Sequence, residues 1–304
     1  MGMVRVTQQV LVQRTLKNLN ANVMRIFKLQ DRLATGHIAS TPSDDPIAVR
    51  RAVNTQANID RNEQYIRNAQ NAEPQLTATA SAVQSALDIV IRATELGVQA
   101  SNGTYGNAQL SEIADEINQL LESMVVEGNR EVNGRAIFGG TRTTESPFAA
   151  IRDANGEITA VNYVGNGEHI AIAIGDAPTT IVNETGSDAF LAQQNVFQTL
   201  IDMRDNLRAG DQNSIRYGAL AELDTAMEQL LLSTTRVGAI QNRLERAANN
   251  TEDVNASLEE LLSNTIDADL ADTVLQLNAE NNAYQAALNA GARVIQPSLL
   301  DFLG

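Results

Sequence analysis

The chain has 304 residues, enough for a sizeable core, yet only 4% are aromatic and none is Trp; its apolar content comes largely from Ala, Leu, Val and Ile, a composition suited to packed helices. A formal net charge of −15 argues against nucleic acid and anionic membranes as partners, because an acidic surface repels phosphates over a Debye length of about 8 Å. The absence of cysteine excludes a disulfide framework, thiolate catalysis and thiolate metal sites.

The opening MGMVRVTQQVLVQRTLKNL has neither an uninterrupted apolar core nor a small-residue cleavage site, so no cleaved secretory signal is expected, and no run of about 18 apolar residues predicts a membrane span. From Val12, apolar residues recur at alternating steps of three and four: Val12, Leu16, Leu19, Val23, Ile26 and Leu33, with Gln30 the one polar position. That spacing predicts a helix packed lengthwise against another and ending at Thr35–Gly36. The next stretch, STPSDDPIAV, sets Asp44 and Asp45 directly before Pro46. Asp is among the best N-caps, Pro is favoured at the first helical position, and the residue before Pro is biased to extended backbone. Asp45 is therefore expected to accept the free N–H of Ile47 or Ala48, with Asp44 near the positive end of the helix dipole. Gly36 and Asp45 together mark a hinge between a terminal rod and a main bundle.

A second helix follows through Ala48, Ala52, Ile59, Ile66, Ala69, Leu76, Ala80, Val83, Leu87, Val90, Thr94 and Gly97, with Pro74 a candidate kink. A third carries Leu110, Ile113, Ile117, Leu120 and Met124 and stops in the Gly- and Asn-rich run from Glu127 to Gly134. Between about residues 135 and 190 the helical period vanishes. Strands are expected at Ile158–Val161, His169–Ile174 and Thr179–Val182, with Asp153–Gly156 a hairpin turn. Helical spacing returns at Leu220, Leu223, Met227, Leu230, Val237 and Leu244. It returns again at Leu270, Val274, Leu277, Asn281, Tyr284, Leu288 and Ile295. The fold expected is mainly α: a long antiparallel helical coiled-coil bundle built from both termini, with a small inserted β domain. Its parts are a terminal coiled coil (1–40 with 256–304), a helical bundle (41–138 with 191–255) and a β-rich outer domain (139–190).

The ends carry opposite charge. Residues 1–35 hold six basic side chains against the single Asp31, whereas residues 252–304 hold nine acidic side chains against Arg293. Amphipathic terminal helices of opposite sign can pair, within one subunit or between neighbours.

Chemistry finds little support. The two histidines, His37 and His169, are far apart and lack an H-E-x-x-H arrangement, so no metal is expected. Asp267, Asp269 and Asp272 form a loose acidic group whose flanks read as helix, not as a calcium loop with a central Gly. Gly165–Gly167 lacks the third glycine of a dinucleotide fingerprint, and no phosphate-cradling P-loop exists. Tyr284 and Phe302 lie at helical spacing and read as packing residues. Asp44 and Asp45 are fully explained as a helix start; a catalytic pair would need a base or metal that the chain does not offer. No catalytic residue, cofactor or metal is expected.

Arg32–Gly36 followed by Ser43–Pro46 resembles the N-terminal R-L-[SA]-[ST]-G … D-D-P signature of the bacterial flagellin and hook-associated protein family. Ala283–Leu288 and Ile295–Leu303 resemble its C-terminal hallmark. Ala136–Thr141, Ser146–Phe148 and Asn195–Leu207 resemble the hook–filament junction branch of that family. Flagellin itself typically continues as D-D-A-A-G-L where this chain has Asp45-Pro46-Ile47-Ala48, and it remains the alternative. A zinc protease inserted in the centre, as some flagellins carry, lacks both its H-E-x-x-H and the room. The resemblance implies a non-enzymatic adapter, a ring of self-associating subunits between hook-associated protein 1 and the flagellin filament. It further implies export through the flagellar type III gate, uncleaved and aided by a cytosolic chaperone, to a place on the extracellular flagellum. By the same resemblance, the seams Val12–Leu33 and Leu270–Leu303, including Leu299, Leu300, Phe302 and Leu303, form an inner assembly rod.

Overall fold

The structure is a computed structural model that describes residues 2–101, 105–176 and 178–295, with side chains described between residues 10 and 292 of those spans. In chain order it contains helices α1 (Gly2–Thr35), α2 (Pro46–Ser101) and α3 (Asn107–Gly128). Six short strands follow: β1 (Glu131–Val132), β2 (Arg135–Ala136), β3 (Phe148–Arg152), β4 (Ile158–Tyr163), β5 (Ala171–Ile172) and β6 (Thr180–Ile181). The chain then returns to helix in α4 (Gly186–Phe190), α5 (Val196–Ala209), α6 (Gln212–Ser214), a π turn (Ile215–Ala219), α7 (Leu220–Ile266) and α8 (Leu270–Ile295). It forms two compact units, a terminal one (Met1–Arg61 with Val254–Gly304) and a central one (Asn62–Asp253). The fold is mainly helical, with long helices from both ends of the chain and a small β region between them.

In the central unit the helical period does what its spacing demands. α2 stays one helix through Pro74, and Leu76, Val83, Leu87 and Val90 point into the core. Val83, Leu87 and Val90 meet Leu110, Ile117, Leu121 and Met124 of α3, Phe197, Leu200 and Met203 of α5, and Leu223 and Leu230 of α7, while Leu76 packs in a second cluster with Val182 and with Val237 and Leu244 of α7. On α3 the seam passes through Leu121, while Leu120 packs only at its edge. Within the 191–255 stretch expected to be helical, α5 forms with recognisable ends. The Asn195 side chain accepts from Gln198 N–H, and Gly210 closes the helix in the left-handed conformation at φ 71°.

Among the described residues the β region is three separate antiparallel pairs and not one sheet. The expected strand at Ile158–Val161 lies within β4, which pairs with β3 across the turn Asp153–Gly156. In that turn Asp153 Oδ1 accepts the N–H groups of Asn155 and Glu157 at 2.9 Å each, and Gly156 supplies the positive φ. The strands expected at His169–Ile174 and Thr179–Val182 shrink to two residues each. Part of the ladder there is replaced by a side chain, since Ile170 N–H donates to Asn183 Oδ1 at 2.8 Å.

Four of the six phenylalanines, Phe138, Phe148, Phe190 and Phe197, meet in one cluster with ring centroids 4.7 to 5.5 Å apart. Tyr163 joins it, its hydroxyl 2.9 Å from Phe138 O and 2.8 Å from Asn166 O. The two glycines after Phe138 are steric necessities. A Cβ on Gly139 would stand 2.1 Å from Arg142 O, and Gly140 sits at φ 68° with Asn166 equally close.

Candidate assembly site

The site built from the sequence lies in the terminal unit. α1 and α8 pack against each other antiparallel, as Thr15 beside Gly291 and Arg25 bonded to Glu280 at 2.9 Å show, and just beyond their paired ends His37 Nδ1 lies 3.1 Å from Asp267 Oδ1. At Gly291 the helices approach so closely that a Cβ would stand 2.9 Å from Thr15 Cγ2. Beyond α1, Gly36 turns the chain at φ 75°, Ile38 N–H donates to Ile266 O at 2.6 Å, and Ala268 N–H donates to Gly36 O at 2.8 Å. These bonds tie the end of α1 to the α7–α8 junction.

The seam residues divide between two faces. On α1, Val12, Leu19, Val23, Ile26 and Leu33 are half-buried, but Leu16 is 49% exposed, and the residue that packs deepest is Leu29 at 7%. The covered row steps through Val12, Thr15, Leu19, Asn22, Ile26, Leu29 and Leu33, so Thr15 and Leu29 take the inward places that the spacing assigned to Leu16 and Gln30. On α8 the covered row runs through Thr273, Leu277, Glu280, Tyr284, Ala287 and Gly291. Leu277 and Tyr284 are in it, whereas Leu270, Val274 and Leu288 lie outside and exposed. The cause is physical. A three-four alternation and a four-three alternation share every second residue, here the apolar Val12, Leu19, Ile26 and Leu33, and the places between them offer mixed choices, Leu16, Val23 and Gln30 against Thr15, Asn22 and Leu29, so the sequence leaves the phase open. Ile295 closes α8, but its side chain and Leu299, Leu300, Phe302 and Leu303 lie outside the described residues. The pair therefore leaves large apolar side chains exposed around both helices: Leu11, Leu16, Met24 and Phe27 on α1, and Val274 and Leu275 on α8, the last 68% exposed.

At the start of α2, Asp45 Oδ1 accepts the N–H groups of both Ile47 and Ala48 at 2.9 Å, which makes it a cap. Asp44 has a different partner. Its carboxylate takes Lys28 Nζ of α1 at 2.9 Å and Thr41 Oγ1 at 2.9 Å, and the Lys28 hydrogen bond holds its pKa below the ordinary Asp value. Pro46 opens α2. The two carboxylates thus start one helix and fasten it to another, with Ser40 adding a bond to Asp31 at 2.9 Å. At the start of α8 Asp269 repeats the device, accepting from Ala271 and Asp272 N–H at 2.9 and 3.0 Å. The acidic group at Asp267–Asp272 therefore lies at the start of α8, between helical flanks, as surface acidity at a helix start would. The Lys28–Asp44 tie was not legible, because sixteen residues and a turn separate the partners.

His37 and His169 each face a carboxylate, Asp267 at 3.1 Å and Asp188 at 3.9 Å. In the central unit a polar row on α7 holds the segment leading into α4 and α5. Gln229 Oε1 accepts from Gln193 and Gln194 N–H at 2.6 and 2.9 Å, Ser233 donates to Glu184 at 2.5 Å, and Arg236 pairs with Glu184 at 3.2 Å. Glu184 is buried, and desolvation pushes its pKa up.

Residues 6–143 match the bacterial flagellin N-terminal helical region, and residues 220–303 match the bacterial flagellin C-terminal helical region. Flagellar hook-associated protein 3 of Escherichia coli (strain K12) is 24% identical over 310 residues, spanning 94% of this chain and 95% of that protein. Flagellin of Bacillus subtilis (strain 168) is 25% identical over 289 residues, 93% of each chain. Among solved structures, FlgL of Bacillus cereus superposes with a TM-score of 0.53 at 26% identity, covering 68% of this chain and 96% of that one. With α1, α2 and α3 falling in the first helical region and α7 and α8 in the second, the chain belongs to the bacterial flagellin family.

Proposed function

We propose that this chain is a structural subunit of the bacterial flagellum at the hook–filament junction, where a ring of its copies joins hook-associated protein 1 to the flagellin filament. The observation that carries this reading is the nearly end-to-end correspondence with a hook-associated protein 3, joined by the FlgL structure that the chain covers almost completely. The role is mechanical and not enzymatic. α1 and α8 supply the assembly rod through the apolar side chains they leave exposed, the helices after Asp45 supply the bundle, and residues 139–190 supply the outer domain. Export precedes assembly, without a cleaved signal and with a chaperone covering the ends. The lack of cysteine suits a chain that must be threaded unfolded, since no disulfide can obstruct it.

The similarity to Bacillus subtilis flagellin supports a second reading, a filament subunit. One experiment separates the two. In a strain lacking this chain, the junction role predicts bare hooks with soluble flagellin released into the medium. Normal filaments in that strain would overturn the adapter role, and bare hooks with no flagellin in the medium would favour the filament subunit.

A further inference from the structure

We propose that Asn133 is a site of spontaneous deamidation, selected by the fold from the three Asn-Gly pairs among the described residues. The described residues contain three such pairs, Asn133–Gly134, Asn155–Gly156 and Asn166–Gly167; Asn102–Gly103 lies outside them. The reaction needs the glycine backbone nitrogen to attack Cγ of the preceding Asn side chain, and glycine permits it because no Cβ obstructs the approach. The new N–Cγ bond displaces the amide nitrogen, which leaves as ammonia with the proton of the glycine N–H. Water then opens the cyclic imide at either carbonyl, giving Asp or its isoaspartyl isomer.

The three pairs differ in how firmly these groups are held. Asn166 is clamped at both ends of its amide: Oδ1 accepts Thr141 N–H at 2.8 Å, while Nδ2 donates to Thr141 Oγ1 at 2.7 Å and to Glu168 at 3.3 Å. At the second pair the nucleophile is engaged, because Gly156 N–H donates to Asp153 O at 3.1 Å, and the Asn155 amide reaches Asp153 Oδ2 at 3.2 Å. At the first pair neither brake exists. Asn133 is exposed at the tip of the β1–β2 hairpin, and among the described residues neither its amide nor Gly134 N–H has a hydrogen-bond partner. Both residues have positive φ, 54° and 72°, the signature of a two-residue type I′ turn. The isoaspartyl product would add a backbone methylene to that turn and disturb the Val132–Arg135 pairing that leads the chain into buried Ile137 and Phe138.

The test is to incubate the full-length folded chain at mildly alkaline pH and follow each pair by peptide mapping with mass spectrometry, alongside a sample in urea. In the folded chain Asn133 should convert first and Asn166 roughly tenfold or more slowly, the factor expected when at least one ground-state hydrogen bond must break before attack. In urea the three rates should converge, and Thr141→Val should speed conversion of Asn166 in the folded chain. Conversion of Asn166 as fast as Asn133 in the folded chain would overturn the proposal. So would an Asn133 that stays intact when folded yet converts in urea.

Discussion

The central and terminal units are made from the same helical alphabet and reach different ends. In the central unit large side chains leave solvent completely: Phe148, Phe190, Phe197, Leu76, Ile117 and Leu200 are all fully buried, because α2, α3, α5, α7 and the β3–β4 hairpin each cover another's apolar stripe. In the terminal unit α1 and α8 cover one stripe of each other and leave other large apolar side chains bare, with Phe27 60% and Met24 68% exposed. A periodic apolar pattern is thus enough to specify a helix but not a closed core, which needs a third layer. The central unit has its layers within one chain. For the terminal pair we propose that neighbouring subunits supply them.

The largest effect that sharpens this contrast is expected in the aromatic cluster. Phe148→Ala removes a ring touching Phe190, Phe197 and Tyr163 and should cost about 3–5 kcal/mol, read as a lower midpoint for the denaturant unfolding of the central unit. A loss below about 1 kcal/mol would mean that the cluster is not the core of that unit.

Asp45→Ala should act on the terminal unit with a smaller loss, about 1 kcal/mol, since one side chain caps two N–H groups of α2. Thermal melts check it, and an unchanged melting temperature would dismiss the cap.

A third and subtler probe is pH. Burial raises the pKa of Glu184 above its ordinary value, so its contribution to stability is complete below the ordinary Glu range and is lost as pH rises through the raised value. Ser233, Arg236, His169 and Asp188 face the same carboxylate, and the first three offset part of the cost. Glu184→Gln should therefore melt no lower than the parent at neutral pH, with the difference closing on acidification below pH 4.5. A parent that is the more stable of the two at neutral pH would show that the pairing with Arg236 outweighs desolvation.

The helices were legible where apolar residues recur over many turns, as along α2 and α7. The cap at Asp45 was legible because Asp-Pro restricts the backbone locally. What escaped depends on tertiary context: the phase of the α1 and α8 seams, since Leu16 and Thr15 compete for one place; the Lys28–Asp44 tie; and β5 and β6, cut short where Asn183 takes over the pairing. The short strands β1, β2 and β3 needed partners that no local pattern names.

The dependence of the terminal pair on neighbours is tested most directly by limited proteolysis of the dilute monomer, with the products weighed by mass spectrometry. α1 and α8 should be trimmed early and a resistant fragment close to Asn62–Asp253 should remain, with protection of both ends returning when the subunits assemble. Ends that resist protease as well as the central unit does, at concentrations too low for association, would contradict the account, because α1 and α8 would then need no neighbour.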